Sequence, residues 1–316
     1  FIINRREQML RIARLYYIEG LEQNQIAKKE GISRPTVSRL LATAREKGFV
    51  SIRVNDDLRD TQVLAEQLKT IYSYVEFNVI STAQDDSKIK IKKVAAATAV
   101  YLHKLIKNGD IIGIGTGKSI YEVAKQLNIK NVKDVEILPL AGIFSSQNYQ
   151  SFYAEIVTFF SKAYNTAAQP LPLPIVFDEL KTKLVVENEK HIRYLEKLAR
   201  VANIAIFTVN DLKNSSLLHN STYISEKEKQ NIETQAIGEV LAHFININGT
   251  AVNQDLDNRT VSLPLENIRY KEHSVVVIDN VGQVPILYTL LKFKLVNQVF
   301  IDQQTAQALL EFEDKE

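Results

Sequence analysis

A chain of 316 residues is long enough for one large domain and a small one, because single hydrophobic cores stop growing at about 250–300 residues. Hydrophobic residues make up 45% and charged residues 24%, no apolar run approaches the roughly 18 residues of a membrane span, and there is no Cys, so membrane spans, disulfides, thiolate metal sites and Cys nucleophiles are excluded from the reading. The net charge of +2 divides unevenly: residues 1–54 hold 11 Lys and Arg against 5 Asp and Glu, a net of +6, while the remaining 262 residues hold 28 against 32, a net of −4. Such asymmetry points to a polyanion partner for the first segment and a different partner for the rest.

Residues 1–54 read as three helices and a strand. Leu10, Ala13, Leu15, Tyr16 and Tyr17 crowd the first helix with apolar bulk before Gly20 closes it. Ile26 and Ala27 mark a short second helix, and Gly31 takes the sharp turn that a Cβ would strain. Ser33 is then an N-cap with Pro35 tolerated in the first turn, so a third helix starts near Arg34. Val37, Leu40, Leu41 and Ala44 fall at helical spacing and face a core, which leaves Pro35, Ser38, Arg39, Ala42 and Arg45 outside. A solvated surface helix has such a face, and so does a helix seated in a major groove. The order of elements, with "FVSIRV" (49–54) as a β-wing, selects a winged helix-turn-helix that binds double-stranded DNA, with Arg34, Pro35, Thr36, Ser38, Arg39 and Arg45 as its contact residues.

After Val54 the chain turns polar and acidic, and residues 55–72 read as a linker with a helix from about Asp60 to Ile71 that helps pair the DNA-binding heads. From residue 73 to 316, apolar strands alternate with helices. The strands are expected at 74–80, 109–115, 135–142, 203–209, 274–279 and 298–302, with helices at 88–106 and 119–127. This alternation predicts an α/β fold with a doubly wound, mostly parallel sheet.

Between the strand at 109–115 and the helix at 119–127 runs "GIGTGKS" (113–119). A P-loop needs four residues between its first glycine and Gly-Lys, and only three separate Gly113 from Gly117; a dinucleotide fingerprint needs a third glycine at 118, which is Lys. Gly115 and Gly117 let the backbone approach an oxyanion, Thr116 and Ser119 offer hydroxyls, Lys118 offers charge, and the following helix points its dipole at the loop. A single phosphate is the expected guest, against the alternative of a tight turn with no ligand.

The stretch "GLEQNQIAKKEGISRPTVSRLLATAREKGFVSIRV" (20–54) resembles the N-terminal domain of the SorC family of bacterial transcriptional regulators, and "GDIIGIGTG", "YAEIV", "LPLPIVFD", "ANIAIFTV", "NRTVSL" and "VFIDQQTAQALL" extend the resemblance along nearly the whole chain, most of all to its deoxyribonucleoside operon regulator branch. The resemblance implies a cytoplasmic DNA-binding repressor of a carbohydrate or nucleoside catabolic operon, a homo-oligomer (dimer or tetramer), with an effector domain similar to sugar phosphate isomerases and deaminases. It places the phosphate of a phosphorylated sugar effector at Gly115–Ser119 and extends the effector site to Gly142, Arg259 and Asp279. No cofactor is implied.

The competing reading is an enzyme on sugar phosphates. The isomerases pair a glycine-rich stretch with a catalytic Lys, Asp and Glu, and no such cluster is visible here. The five His residues are dispersed, and Asp255 and Asp257 read more simply as an acidic turn than as a metal pair. Arg259 is left with two roles, pairing with a phosphate or with a neighbouring subunit. Two departures from the family pattern stand out. Ala141 replaces the lysine that the deoxyribonucleoside branch tends to carry, so no Schiff base forms there. Asp279 stands where the family's second phosphate contact is expected, which puts that contact in doubt.

Overall fold

The structure is a computed structural model that describes residues 5–50, 57–82, 86–144 and 152–313. It divides into two compact units, residues 1–56 and 57–316.

The small unit holds α1 (Arg5–Tyr17), α2 (Gln23–Glu30) and α3 (Arg34–Glu46). Gly31 adopts φ +64°, the left-handed conformation a helix C-terminus favours, and its amide closes on Ala27 O. Ser33 then caps α3, its hydroxyl accepting from the Thr36 amide, and the two caps together hold α2 and α3 across a three-residue turn. Met9, Ile12, Ile26, Val37, Leu40 and Ala44 form a shared core, and Arg11 clamps Glu30 with two guanidinium nitrogens, tying α1 to the end of α2. The expected wing falls mostly outside the described residues; Phe49 and Val50, which are described, are not in a strand.

The large unit begins with α4 (Asp57–Ile71), followed by β1 (Glu76–Ile80), α5 (Ser87–Leu105), β2 (Ile111–Ile114), α6 (Lys118–Lys125), β3 (Glu136–Pro139), α7 (Tyr153–Ala163), α8 (Leu180–Glu187) and α9 (Lys190–Val201). The chain continues through β4 (Ile204–Asn210), α10 (Ser216–Asn220), α11 (Glu226–Gln235), the short strands β5 (Gly238–Val240) and β6 (His243–Ile245), α12 (Gln254–Arg259) and α13 (Leu265–Ile268). It ends with β7 (His273–Ile278), α14 (Val284–Lys292), β8 (Gln298–Asp302) and α15 (Gln303–Glu313). No described helix is long and apolar enough to cross a membrane.

Six strands pair in parallel in the order β1-β8-β7-β4-β2-β3, and the β5–β6 hairpin adds antiparallel to the end of β4. Side chains alternate strictly through the central strands. Ile204 and Ile206 join Val275, Val277 and Phe300 beneath α5, α6 and α7. Ala205, Phe207 and Val209 join Val276 and Ile301 beneath α14 and α15 on the other face. The result is the three-layer, doubly wound arrangement read from the alternation of apolar strands and helices. Leu68 of α4 is fully buried in that second core, so the helix assigned by sequence to a linking segment packs as part of the large unit.

From β2 the chain steps outward to β3, whereas from β4 it steps the opposite way to β7 and then β8. The carboxyl ends of β2 and β4 are therefore neighbours whose onward connections diverge. In open α/β sheets that divergence opens a crevice.

Candidate functional site: a closed cavity at the strand switch point

At that crevice β2 runs into Gly115, Thr116 and Gly117 before α6. The Gly115 amide donates to Ile206 O at 2.8 Å, and a Cβ on Gly115 would lie 2.7 Å from the Phe207 Cβ, so this glycine is required by the approach of β4. Gly117 has φ +126° and ψ 169°, a conformation that only glycine adopts readily. No side chain caps α6 at Gly117. The first amides of α6 and its dipole are thus turned toward the crevice, a setting that favours an anion.

Opposite the loop stands the β5–β6 hairpin. Its two-residue turn, Leu241 and Ala242, has φ +47° and +68°, the pair of left-handed residues that a tight hairpin turn requires. Non-glycine residues held there store strain, which the pairing of Val209 with Val240 and Asn210 with Glu239 stabilises. Loop and hairpin close a cavity with about 50 Å³ open to water, lined by Thr116, Gly117, Ala141, Thr208, Asn210 and Glu239 together with apolar groups of Phe144, Ile175, Leu217 and Leu241. At about 10–15 Å³ for each water-sized group, it admits a phosphate or a few waters.

Among the described residues Glu239 is the one carboxyl lining the cavity, and it is 8% exposed. It accepts from the Ser215 hydroxyl at 2.5 Å. Burial raises its carboxyl above the ordinary carboxylate range, outweighing the hydrogen bonds from Ser215, Asn210 and the Ala242 amide that pull the other way. A carboxyl so placed offers a ligand a polar group on an otherwise largely apolar wall.

The loop residues expected from sequence divide by role. Thr116 and Gly117 line the cavity, Lys118 is exposed at the start of α6, and Gly115 and Ser119 are buried behind it. Asp279 follows β7 without lining the cavity; burial raises its carboxyl, Asn280 offsets part of that, Asp302 adds to it, and Lys118 again lowers it. The Lys118 ammonium therefore has an internal acid within electrostatic reach. Gly142 lies elsewhere for a packing reason: a Cβ there would sit 2.6 Å from Pro174 O, so its freedom serves a backbone contact. Arg259 is also drawn away from the cavity. Its guanidinium donates to Glu228 Oε1 at 2.7 Å and to Phe177 O at 2.8 Å, which meets its charge internally. For Glu228, burial would raise the carboxyl, but bonds from Ser225 and Arg259 prevail and hold it below its ordinary value. Asp255 and Asp257 open the first turn of α12, and Asp257 bonds the His243 ring at 2.6 Å; among the described residues no cluster of His, Asp and Glu is placed to hold a metal.

On α3, Arg34, Pro35, Ser38, Arg39 and Arg45 are exposed together. Thr36 is different, half-buried with its hydroxyl 2.8 Å from that of Ser33, where it strengthens the cap. Glu239, Asn210, Ser215, Thr208, Leu241 and Ala242 were not singled out by sequence. The short segment "AIGEVLAHF" carries no glycine or asparagine at its turn, so neither the hairpin nor the acid at its edge announces itself.

Comparison with known proteins places this architecture. The family model described as "Putative sugar-binding domain" matches residues 56–311. The deoxyribonucleoside regulator of Bacillus subtilis is 36% identical over 310 residues, covering 98% of this chain and 99% of that one. Among solved structures, a transcriptional regulator from Streptococcus pneumoniae superposes with a TM-score of 0.74 at 22% identity, covering 82% of this chain and 99% of its own. The full-length sorbitol operon regulator SorC from Klebsiella pneumoniae superposes with a TM-score of 0.70 at 21% identity, covering 96% and 98%. With a sugar-binding domain over most of its length and end-to-end similarity to operon regulators, the chain belongs to the SorC family of transcriptional regulators.

Proposed function

We propose that this regulator binds operator DNA through α3 and is controlled by a phosphorylated sugar that enters the cavity between the β2–α6 turn and the β5–β6 hairpin. The observation that carries the proposal is the pairing of an uncapped helix N-terminus on one wall with Glu239 on the other, a buried carboxyl that burial pushes above its ordinary range. The first suits a phosphate, and the second, with Asn210, suits the hydroxyls of a sugar. The name of the Bacillus subtilis relative favours a deoxyribose-type effector, as part of a nucleoside or carbohydrate catabolic operon. Ala141 on the cavity wall makes that association non-covalent.

In this proposal Arg39 reads bases, and Arg34, Ser38 and Arg45 hold phosphates beside the close surface of Pro35. Residues 1–54 act as the DNA-binding domain and the remainder as the effector and oligomerisation domain, in a cytoplasmic homodimer or tetramer that represses its operon. Catalysis is not part of the proposal. An isomerase or deaminase needs paired acid and base groups at the reacting carbons, whereas a single carboxyl lines this cavity and the curated relatives are named as regulators.

A thermal-shift panel of pentose and hexose phosphates beside the free sugars tests the effector reading, since a ligand above its dissociation constant raises the melting temperature. Shifts confined to phosphorylated sugars, and lost in Thr116→Val, are expected. Shifts with free sugars alone, or turnover of a sugar phosphate, overturn it.

A further inference from the structure

Asn followed by Gly occurs twice in the chain, at 108–109 and at 248–249. In this dipeptide the glycine has no Cβ to shield its amide nitrogen, which can reach the carbonyl carbon of the preceding side chain. Reaction there closes a five-membered imide and releases ammonia, so each pair can react on its own and its surroundings decide the rate.

The two surroundings differ. The Asn108 side-chain oxygen accepts from the Lys133 amide at 2.9 Å, and the Gly109 amide donates to Lys133 O at 2.9 Å. Both reacting groups are therefore held by one residue. Asn248 is exposed in the turn 246–249, which closes through the Gly249 amide donating to Asn246 O at 2.9 Å. Asn246 supplies the frame of that turn. Its side-chain oxygen accepts from the Asn248 amide, the Thr250 amide and the Thr250 hydroxyl at 2.9, 3.2 and 3.0 Å. Among the described residues the Asn248 side-chain amide makes no hydrogen bond, so it can rotate onto Gly249 N at the cost of one backbone bond.

We infer that Asn248 is a site of spontaneous deamidation, with water as the co-reactant. The Gly249 nitrogen, having lost its proton to solvent, attacks Asn248 Cγ; the new N–C bond forms as the Cγ–Nδ2 bond breaks, and the side-chain nitrogen takes up a proton and leaves as ammonia. Water then opens either carbonyl of the imide. One opening leaves aspartate, and the other leaves isoaspartate, in which the main chain runs through Cβ and Cγ and gains one carbon atom. Overall one water is consumed and one ammonia released. The site does not rest on the effector reading, yet the turn supports the same hairpin. Asn246 N donates to Thr250 O and Val252 N to Phe244 O, each at 3.0 Å, so one edge of β6 is paired through this turn while its other edge pairs with β5. A longer main chain at 248 displaces the Gly249 amide from Asn246 O and loosens that pairing.

Full-length protein is incubated in mildly alkaline buffer, then digested and mapped by mass spectrometry against a fresh reference, with enzymatic methylation of isoaspartate as the second readout. The mass gain of an amide-to-acid exchange, with isoaspartate among the products, is expected at Asn248 at least about fivefold faster than at Asn108, the factor that one net hydrogen bond corresponds to. Asn248→Gln, whose longer side chain would need a six-membered ring, is expected to abolish the gain at 248, and Asn108→Gln to leave it unchanged. Aged wild type is expected to melt about 2–4 °C below fresh protein, the shift that loss of one such bond brings in a domain of this size, while Asn248→Gln aged in parallel holds its melting temperature. The inference is overturned by no gain at Asn248 in the folded wild type, by an equal or faster rate at Asn108, by aspartate without isoaspartate at 248, or by aged protein that melts as fresh protein does. The site-resolved map of the wild type decides the matter even where a variant does not fold.

Discussion

Glu239 shows how one buried side chain ties stability to pH. Its folded-state carboxyl titrates above the unfolded value, so the folded protein holds a proton that the unfolded chain gives up, and stability falls as the pH rises above the ordinary carboxylate range. Below that range both states are protonated and the penalty vanishes. Glu239→Gln removes the titration while keeping an acceptor for Ser215. It is expected to raise the melting temperature by roughly 2–4 °C at pH 7, equivalent to about 1 kcal/mol, and to leave it unchanged near pH 4. Calorimetric scans at the two pH values check this, and the same variant should show a smaller shift with the effector. At the DNA end, Arg39 is exposed on the outer face of α3. Arg39→Ala is expected to weaken operator binding by about 1–3 kcal/mol and to relax preference at one base position, whereas Arg45→Ala should reduce the salt dependence by about one ion without changing preference. Binding of a panel of operator variants at several salt concentrations separates the two, and an Arg39→Ala loss within ordinary surface scatter would remove α3 as the reading helix.

Among the elements, the β2–α6 turn carries a packing role and, in the proposal, a binding role, and they need different tests. Gly117 occupies a backbone conformation restricted to glycine, and a Cβ would come within 3.0 Å of the Thr208 methyl. Gly117→Ala is therefore expected to cost about 1–3 kcal/mol of stability with no ligand present, read by urea denaturation. Its loss of effector binding would say nothing about phosphate contact, which is why Thr116→Val is the diagnostic change. This turn, the helix-turn-helix caps and all six parallel strands were legible in the sequence because each rests on local signals: Gly31 and Ser33 at a cap, or an apolar run such as that of β4 between breakers. The hairpin was not legible, since its left-handed turn residues are Leu241 and Ala242 and its stability comes from β4, some 30 residues earlier in the chain. Arg259 shows the same limit in reverse. Its sequence neighbours invite an anion, yet its partner Glu228 lies 31 residues away, and only the packed structure brings the two together.

For the whole molecule, the proposed regulation requires that effector and operator bias one equilibrium between two arrangements of the protein. The cavity has about 50 Å³ open to water, so the proposed sugar phosphate would favour any arrangement in which this site is wider, and its binding would shift the population toward it. An equilibrium of that kind obeys reciprocity: the factor by which effector weakens operator binding equals the factor by which operator weakens effector binding. The expected factor is about 5–150, the usual range for coupling of 1–3 kcal/mol. Operator affinity measured with and without saturating sugar phosphate gives one side of the cycle, and calorimetric titration of the sugar phosphate into free and operator-bound protein gives the other. Thr116→Val should lower effector affinity in both titrations while leaving effector-free operator affinity unchanged, because Thr116 lies in the large unit and the basic face of α3 in the small one. Equal factors with that pattern place the cavity in control of DNA binding. A sugar phosphate that binds tightly and leaves operator affinity untouched would make the cavity a storage or structural site, and the regulatory signal would have to enter elsewhere.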